Sequence, residues 1–247
     1  MSATRMVSGR SGRHTISEQF SVGKFMNDSK ALWIGLDGDI RADAVSLGRY
    51  TSGDYINDPK HVAFVASRYK FVAKMLDGME SVIEIGCGDG FGAPFVASAA
   101  KNLICTDINE AMLADIRKRH ARLTNAKFEY FDFRTKPYAP AATGAYLVDV
   151  IEHIYADEET AFLGNIVGSL QERGVLLIGT PNKTADQYAS EWSRKAHVNL
   201  KTHKELHDLG QRYFYNVFMF GMNDEVVHTG YAPMCHFLWA LCVGPRR

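Results

Sequence analysis

The sequence predicts an α/β protein whose sheet is mostly parallel. Between residues 60 and 180, short apolar segments alternate with helical stretches, which is typical of parallel strands joined by helices. One apolar segment, "SVIEI", runs directly into a turn with four glycines in seven positions, which indicates a strand, a ligand-binding turn and a helix in succession. Near the C-terminus, "RYFYNVFMFGM" and "MCHFLWALCV" follow one another and predict an antiparallel edge.

The elements follow in order from residue 60. In "KHVAFVASRYKFVAKML", which comes directly after Pro59, apolar residues recur at three- and four-residue steps and predict an amphipathic helix. The next predicted strands are "SVIEI", "NLICT", "KFEYF", "AYLVDVI" and "GVLLIGT", and the predicted helices between them cover residues 91–100, 109–122 and 157–171. A short helix is expected after residue 203, before the two terminal strands.

The N-terminal quarter lacks this alternation. Residues 1–19 are rich in Ser, Gly and Arg, and such a segment buries too little apolar area to offset its ordering entropy, so we expect a flexible arm. Residues 20–59 carry Trp33, Tyr50 and Tyr55 without a clear period and are expected to form a lid or cap. The main domain is then predicted over residues 60–247.

The amino-acid composition limits the kinds of partner that we expect for this protein. Lys plus Arg and Asp plus Glu both total 28 in 247 residues, so no overall charge favours nucleic acid or an anionic membrane. The cysteines, Cys87, Cys105, Cys235 and Cys242, are scattered in apolar surroundings, as expected of buried thiols in a reducing compartment. No apolar run is long enough to span a bilayer. The sequence predicts a cytoplasmic protein with no membrane or nucleic-acid partner, and leaves a homodimer open.

The glycine turn predicts a nucleotide-like ligand. Gly86, Gly88 and Gly90 follow a strand and precede a helix, and glycine lets a ligand approach the backbone without meeting a Cβ atom. A dinucleotide fingerprint needs G-x-G-x-x-G, but the sixth position is Phe91 or Ala93, depending on the register.

The acid before the turn helps to distinguish between classes of nucleotide-like ligand. Glu84 precedes the first glycine by two residues, and a carboxylate there would repel a pyrophosphate but attract a cationic amino group. Asp107, at the tip of the next strand, can accept hydrogen bonds from a ribose diol. Asp132 and Phe133, after the following strand, suit the exocyclic amine and the face of an adenine.

In these motifs the chain resembles the Rossmann-like, class I S-adenosylmethionine-dependent methyltransferases. The resemblance covers roughly residues 60–243 and rests on "VIEIGCGDG", "CTDIN", "FDF", "LVDVIEHI" and "GVLLIGTPN". It implies a sheet of seven mostly parallel strands with an antiparallel last strand and helices on both faces. It also implies S-adenosyl-L-methionine as co-substrate, bound by Glu84, Gly86, Gly88, Gly90, Asp107, Ile108, Asp132, Phe133 and Asp149.

A narrower resemblance concerns the acceptor. "TPN" followed by "SEWSRKAHVNLKTHKEL" is similar to bacterial ubiquinone-pathway O-methyltransferases and their sugar-modifying relatives. It implies methyl transfer to an oxygen, or a nitrogen, of a small polar molecule such as a sugar or secondary metabolite. An RNA 2′-O-methyltransferase and a non-catalytic S-adenosylmethionine-binding subunit are the alternatives.

Two histidines are the candidate catalytic residues. His153 follows the fourth strand and suits a general base near neutrality, and His197 lies in the polar block 190–202 that could position the acceptor. Alternatively, Asp149, Glu152 and His153 could hold a divalent metal with His197, because this spacing is similar to metal-dependent RNA 2′-O-methyltransferases. The first acid there is usually Glu, so a metal is left open but not expected.

Overall fold

A computed structural model describes residues 28–38 and 44–247. The chain divides into two compact units, Met1–Ala44 and Val45–Arg247. In the smaller unit the structure describes helix α1 (Ser29–Asp37). Asp28 caps its N-terminus, because the Asp28 carboxylate accepts a hydrogen bond from the amide of Lys30 at 3.0 Å. The predicted arm, residues 1–19, lies outside the described residues, as do 20–27 and 39–43 of the predicted lid.

Within residues 44–247 the strands form one eight-stranded sheet in the order β3-β2-β1-β4-β5-β8-β6-β7. The strands are β1 (Val82–Ile85), β2 (Leu103–Asp107), β3 (Ala126–Tyr130), β4 (Ala142–Val148), β5 (Leu170–Pro181), β6 (Phe214–Asn223), β7 (Val226–His228) and β8 (Phe237–Pro245). The helices are α2 (Arg49–Asn57), α3 (Pro59–Met75), α4 (Ala93–Ala97), α5 (Glu110–Arg119), α6 (Glu159–Gly168), α7 (Glu191–Ala196) and α8 (His203–Tyr213).

The strand directions match the predicted fold class. Strands β1 to β5 pair in parallel, and the last strand, β8, lies antiparallel between β5 and β6. The predicted mostly parallel sheet with an antiparallel last strand is therefore confirmed. The eighth strand, β7, was not predicted; it pairs with the end of β6 between Gly221 and Asn223, and three residues are too few to show a periodic pattern.

Helices cover both faces of the sheet, as predicted. Val82 of β1 belongs to a buried cluster that includes residues from α3, α4 and α5. Ile83 and Ile85 point to the opposite face, into a cluster with residues of α6 and α8. This alternation follows from the two-residue side-chain period of a strand. Because β1, β2 and β4 run parallel, their carboxyl ends lie at one edge of the sheet.

Residues 45–57, within the predicted lid, are part of the larger unit. At the N-terminus of α2, the amide and the hydroxyl of Thr51 donate to the Asp89 carboxylate at 2.8 and 3.2 Å. Asp89 belongs to the glycine turn and is only 5% exposed, and an anion at a helix N-terminus is favourable. Helix α2 is thus fastened directly to the predicted ligand-binding turn.

Two predictions from composition can be compared with the structure. All four cysteines are buried and free, as predicted. In the described ranges 28–38 and 44–247, none of the helices has the length and apolar character needed to cross a bilayer.

Candidate functional site

A cavity of about 350 Å³ opens at the carboxyl ends of β1, β2 and β4; we call it the glycine-turn cavity. Its wall contains seven of the nine residues predicted to bind the cofactor, together with one predicted catalytic histidine. These are Gly86, Gly88, Asp107, Ile108, Asp132, Phe133, Asp149 and His153. Seven of the nine predicted binding residues therefore line one cavity, and Glu84 and Gly90 do not.

The turn itself supplies an open backbone surface. Gly88 has a φ of +54°, and a Cβ added there would meet nothing within 4 Å, so this face of the turn is free for a ligand. Gly90 has a different role: its φ is +76°, and a Cβ would lie 2.8 Å from the Ile116 side chain of α5. Gly90 therefore permits close packing of the helix and lies outside the cavity wall.

Asp107 is held in place by two backbone amides. Its Oδ2 accepts from Gly88 at 2.9 Å, and its Oδ1 accepts from Asn109 at 2.9 Å. A carboxylate has about four lone-pair sites, so acceptor capacity remains for a ribose diol. Ile108, beside it, is 56% exposed and offers an apolar surface in the same wall.

Asp132 is engaged by a residue that the sequence did not single out. Arg134 donates from its Nε at 3.0 Å and from its Nη2 at 2.8 Å to the Asp132 carboxylate. These hydrogen bonds lower the pKa of Asp132, so the acid is charged and already paired. Phe133 is 2% exposed and packs edge-to-face on Phe131, with ring centroids 4.7 Å apart.

Glu84 lies beneath the turn, within the core. It is 1% exposed, and neither carboxylate oxygen has a hydrogen-bond partner. Burial raises the pKa of Glu84 to about 7, although the nearby Cys105 thiol and the Tyr146 and Tyr69 hydroxyls act in the opposite direction. From this position Glu84 has no direct access to the cavity, and its predicted pairing with a cationic amino group stays a prediction.

Asp149 lies at the end of β4 in a left-handed backbone conformation, with a φ of 56°. Its carboxylate accepts from Arg68 of α3 at 2.7 Å. The guanidinium of Arg68 lies 4.0 Å from the centre of the Phe237 ring, a cation–π arrangement. The ion pair thus helps to hold a strained residue of the cavity wall.

The two predicted catalytic histidines lie together with Glu152. One ligand atom from each of Glu152, His153 and His197 lies within 4.8 Å of the others; we call this group the wall cluster. The ring nitrogen Nδ1 of His153 lies 2.9 Å from the carbonyl oxygen of Ala196. A carbonyl only accepts, so Nδ1 carries the proton and Nε2 is left as the acceptor in the neutral ring.

The other members of the wall cluster are less exposed. Glu152 is fully buried and its Oε2 accepts from the Thr180 hydroxyl at 3.0 Å, while Oε1 has no partner. Burial, and after it the charge of Asp149, raises the pKa of Glu152 to about 8. Burial, followed by the neighbouring His153, lowers the pKa of His197, and the Nδ1 atom of His197 has no partner.

A second cavity, of about 570 Å³, lies on the other side of the wall cluster. We call it the three-histidine cavity, after His61, His197 and His236. Two contacts cross between the cavities: the rings of His153 and His197 have centroids 5.3 Å apart, and Asp149 binds Arg68. The loop 190–202 was predicted to position an acceptor; Ser193, His197 and Leu200 contribute to this second cavity.

The central part of the chain is similar to a known family. Residues 82–174 match the family described as "Methyltransferase domain". A probable S-adenosylmethionine-dependent methyltransferase of Mycolicibacterium smegmatis is 31% identical over 103 residues, which are 41% of this chain and 38% of that protein. The matched part thus spans well under half the length of this relative.

Solved structures show the same fold. The methyltransferase domain of bacterial CtHen1-C aligns with a TM-score of 0.61 at 16% identity, covering 73% of this chain and 99% of that one. The N-methyltransferase NodS of Bradyrhizobium japonicum, bound to S-adenosyl-L-homocysteine, aligns with a TM-score of 0.58 at 15% identity, covering 78% and 91%.

The strand order, the helices on both faces and the place of the glycine-turn cavity are thus those of a Rossmann-like α/β domain. Over residues 82–174 the chain carries a methyltransferase domain, similar to those of S-adenosylmethionine-dependent methyltransferases, whose co-substrate is S-adenosyl-L-methionine.

Proposed function

We propose that this protein transfers a methyl group from S-adenosyl-L-methionine to an oxygen or a nitrogen of a small polar molecule. The observation that carries the proposal is the placement of the wall cluster between two adjacent cavities. The glycine-turn cavity has the residues for the donor. The three-histidine cavity is large enough for a small acceptor, since ligand pockets commonly measure about 300–1,000 Å³.

The donor is positioned by rigid groups. Asp107, fixed by the amides of Gly88 and Asn109, would accept from the ribose, and the open face of Gly88 admits the chain of the amino acid moiety. Ile108, which is 56% exposed, would pack against the adenine, whereas Phe133, which is 2% exposed, contributes only to the floor of the cavity and does not offer the free ring face predicted for it. When bound, S-adenosyl-L-methionine supplies the methyl group from its sulfonium centre.

Activation of the acceptor falls to His153. Its Nε2 can take the proton of a hydroxyl or ammonium group while the acceptor atom forms the new bond to carbon, and the carbon–sulfur bond breaks with its electron pair passing to sulfur. His197 and the buried Glu152 restrict the position of His153 from one side, and the Ala196 carbonyl fixes its ring from another. Alignment of donor and acceptor alone can supply about 7–11 kcal/mol.

Two measurements test the proposal. Calorimetric titration with S-adenosyl-L-homocysteine should give a dissociation constant in the micromolar range or below, and NAD should give no binding. Incubation with methyl-labelled S-adenosyl-L-methionine and a panel of small hydroxyl and amino compounds should then label at least one of them. Binding without labelling of any compound would favour the non-catalytic subunit, and NAD binding alone would reject the proposal.

A second candidate function is metal-assisted methylation of an RNA 2′-hydroxyl. The wall cluster favours it, because Glu152 Oε1 and His197 Nδ1 are unpartnered and Nε2 of His153 is free to bind. These three residues would hold a divalent cation, which when bound lowers the pKa of a coordinated hydroxyl. Asp149 fits less well, since its carboxylate is paired with Arg68.

The two candidates separate in a simple assay. A chelator should abolish labelling, and added Mg²⁺ or Mn²⁺ should restore it, only under the second candidate. Short RNA should be labelled there, and the same sequence as DNA, which lacks the 2′-hydroxyl, should not. Full labelling of a small molecule in the presence of chelator would leave the first candidate.

A further inference from the structure

The charge of the three-histidine cavity is set by one unpaired acid. Asp186 lies in its wall and is partly buried. Among the described residues no hydrogen bond or ion pair reaches the Asp186 carboxylate. The charge of Asp186 acts on His197, where it opposes the lowering of the His197 pKa that burial causes. A partly desolvated carboxylate without a partner attracts a cation.

The positive charge of the same wall is already compensated. Arg68 is bound to Asp149 at 2.7 Å, and its side chain is 14% exposed. It also lies over the Phe237 ring. Little of its charge is therefore free to attract an anionic ligand, so Asp186 is the uncompensated charge that an occupant would meet.

Aromatic rings make up much of the remaining wall. The His61 and Phe64 rings lie edge-to-face with centroids 6.3 Å apart, and Tyr188 and His236 form a similar pair at 6.0 Å. Aromatic faces attract cations and also pack against flat apolar groups. Acid and rings together match a ligand with a positive end and a flat body.

We propose that the three-histidine cavity binds an acceptor that carries a protonated amine on a flat apolar body, and that Asp186 selects the positive charge. This inference rests on the proposed function, because it assigns the acceptor class of the same site. Asp186 is then a specificity-determining residue, and the aromatic pairs supply the surface for the rest of the molecule.

Three probes of similar shape test the selection: tyramine, 4-hydroxyphenylacetate and 4-ethylphenol, which are cationic, anionic and neutral near pH 7. Binding to the full chain is measured by ligand-observed NMR titration, with and without S-adenosyl-L-homocysteine. Tyramine should bind at least about tenfold more tightly than 4-hydroxyphenylacetate, since both an ion pair and a cation–π contact favour it. Asp186→Asn, which keeps the shape, should remove most of this preference.

Glu225→Gln is the matched control, because Glu225 is an exposed acid in the turn between β6 and β7 and lines neither cavity. It makes the same change of charge and should retain the preference for tyramine. Equal or tighter binding of the anionic or neutral probe would overturn the inference. So would retention of the preference by Asp186→Asn, or the absence of tyramine binding at millimolar concentration.

Failure of this inference and failure of the proposed function are distinguishable. Titration of the same protein with S-adenosyl-L-homocysteine reports on the glycine-turn cavity alone. If that titration shows binding while tyramine selection fails, the donor site stands and the acceptor class is wrong. If the homocysteine derivative does not bind, the proposed function fails whatever the probes show.

Discussion

The two cavities share a wall but are built differently. The glycine-turn cavity is made by short segments that each follow a strand, and main-chain amides of Gly88 and Asn109 fix its key carboxylate. The three-histidine cavity is made by side chains from four separate parts of the chain, at residues 61–68, 181–189, 193–200 and 236. Under the proposed function, this difference means that the fold determines the donor site, whereas side-chain identity determines the acceptor.

The largest expected effect concerns the wall cluster between them. His153→Ala should lower turnover by about 10²- to 10⁴-fold, the usual contribution of a general base, and should leave the affinity for S-adenosyl-L-homocysteine nearly unchanged. His197→Ala should give a smaller loss, because His197 contacts the His153 ring. The measurement is steady-state labelling of an identified acceptor, together with calorimetry.

His207→Ala is the control for the wall cluster, since His207 lies on α8 and lines neither cavity. Full turnover in both His153→Ala and His197→Ala would show that catalysis depends on alignment alone. A parallel loss of donor affinity would instead show that the wall cluster belongs to the donor side of the comparison.

The stability of the protein is expected to depend on pH through Glu84, which lies beneath the glycine turn. Because burial raises the pKa of Glu84 to about 7, the folded state holds this proton more tightly than the unfolded chain. Its stabilising contribution is complete below about pH 4.5 and is lost as the pH rises to about 7. Relative to Glu84→Gln, the wild type should lose about 2–3 kcal/mol of stability between these limits, at about 1.4 kcal/mol per pKa unit.

Urea denaturation of the two proteins at several pH values measures this difference. Glu172→Gln, the same change at an exposed position of β5, shows what the loss of a carboxylate does without burial. A constant difference between wild type and Glu84→Gln would contradict the prediction. Titration of Glu84→Gln with S-adenosyl-L-homocysteine also tests the cofactor role predicted for this residue.

The sequence predicted more of the glycine-turn cavity than of the three-histidine cavity, for a physical reason. Asp107 and Asp132 follow predicted strands, so the parallel sheet brings them to one edge without further information. Arg68 and Asp149 are 81 residues apart, and no local pattern connects them.

Some contacts that the sequence did not predict have a weak signal in the sequence, and others have none. Arg134 lies two residues after Asp132, close enough to suggest the observed pairing. The contact of Asp89 with Thr51 depends on how α2 packs against the turn, which neither residue's neighbours reveal. His61 and His236 likewise meet in one cavity only through the tertiary fold.

A moderate effect on affinity is expected at the ribose site. Asp107→Ala should weaken S-adenosyl-L-homocysteine binding by about 1.5–3 kcal/mol, the usual contribution of hydrogen bonds to a charged group. Asp208→Asn, an exposed acid of α8 paired with Lys204, is the control and should bind normally. Normal affinity in a folded Asp107→Ala protein would show that Asp107 does not contribute to donor binding. The glycine-turn cavity would then no longer differ from the three-histidine cavity in having a carboxylate fixed for its ligand by main-chain amides.

The smallest effect tests whether α2 belongs to the donor side. Thr51→Val removes the hydroxyl that donates to Asp89 at 3.2 Å but keeps the amide that donates at 2.8 Å. One buried hydrogen bond contributes about 0.5–1.5 kcal/mol, so the melting temperature should fall by about 1–6 °C for a domain of this size. Affinity for S-adenosyl-L-homocysteine should fall at most twofold or so, because Asp89 holds the turn from outside the cavity wall. The matched control is Thr124→Val, the same change at an exposed turn position before β3. An equal melting temperature in wild type and Thr51→Val would show that the hydroxyl contact does not hold α2 to the turn.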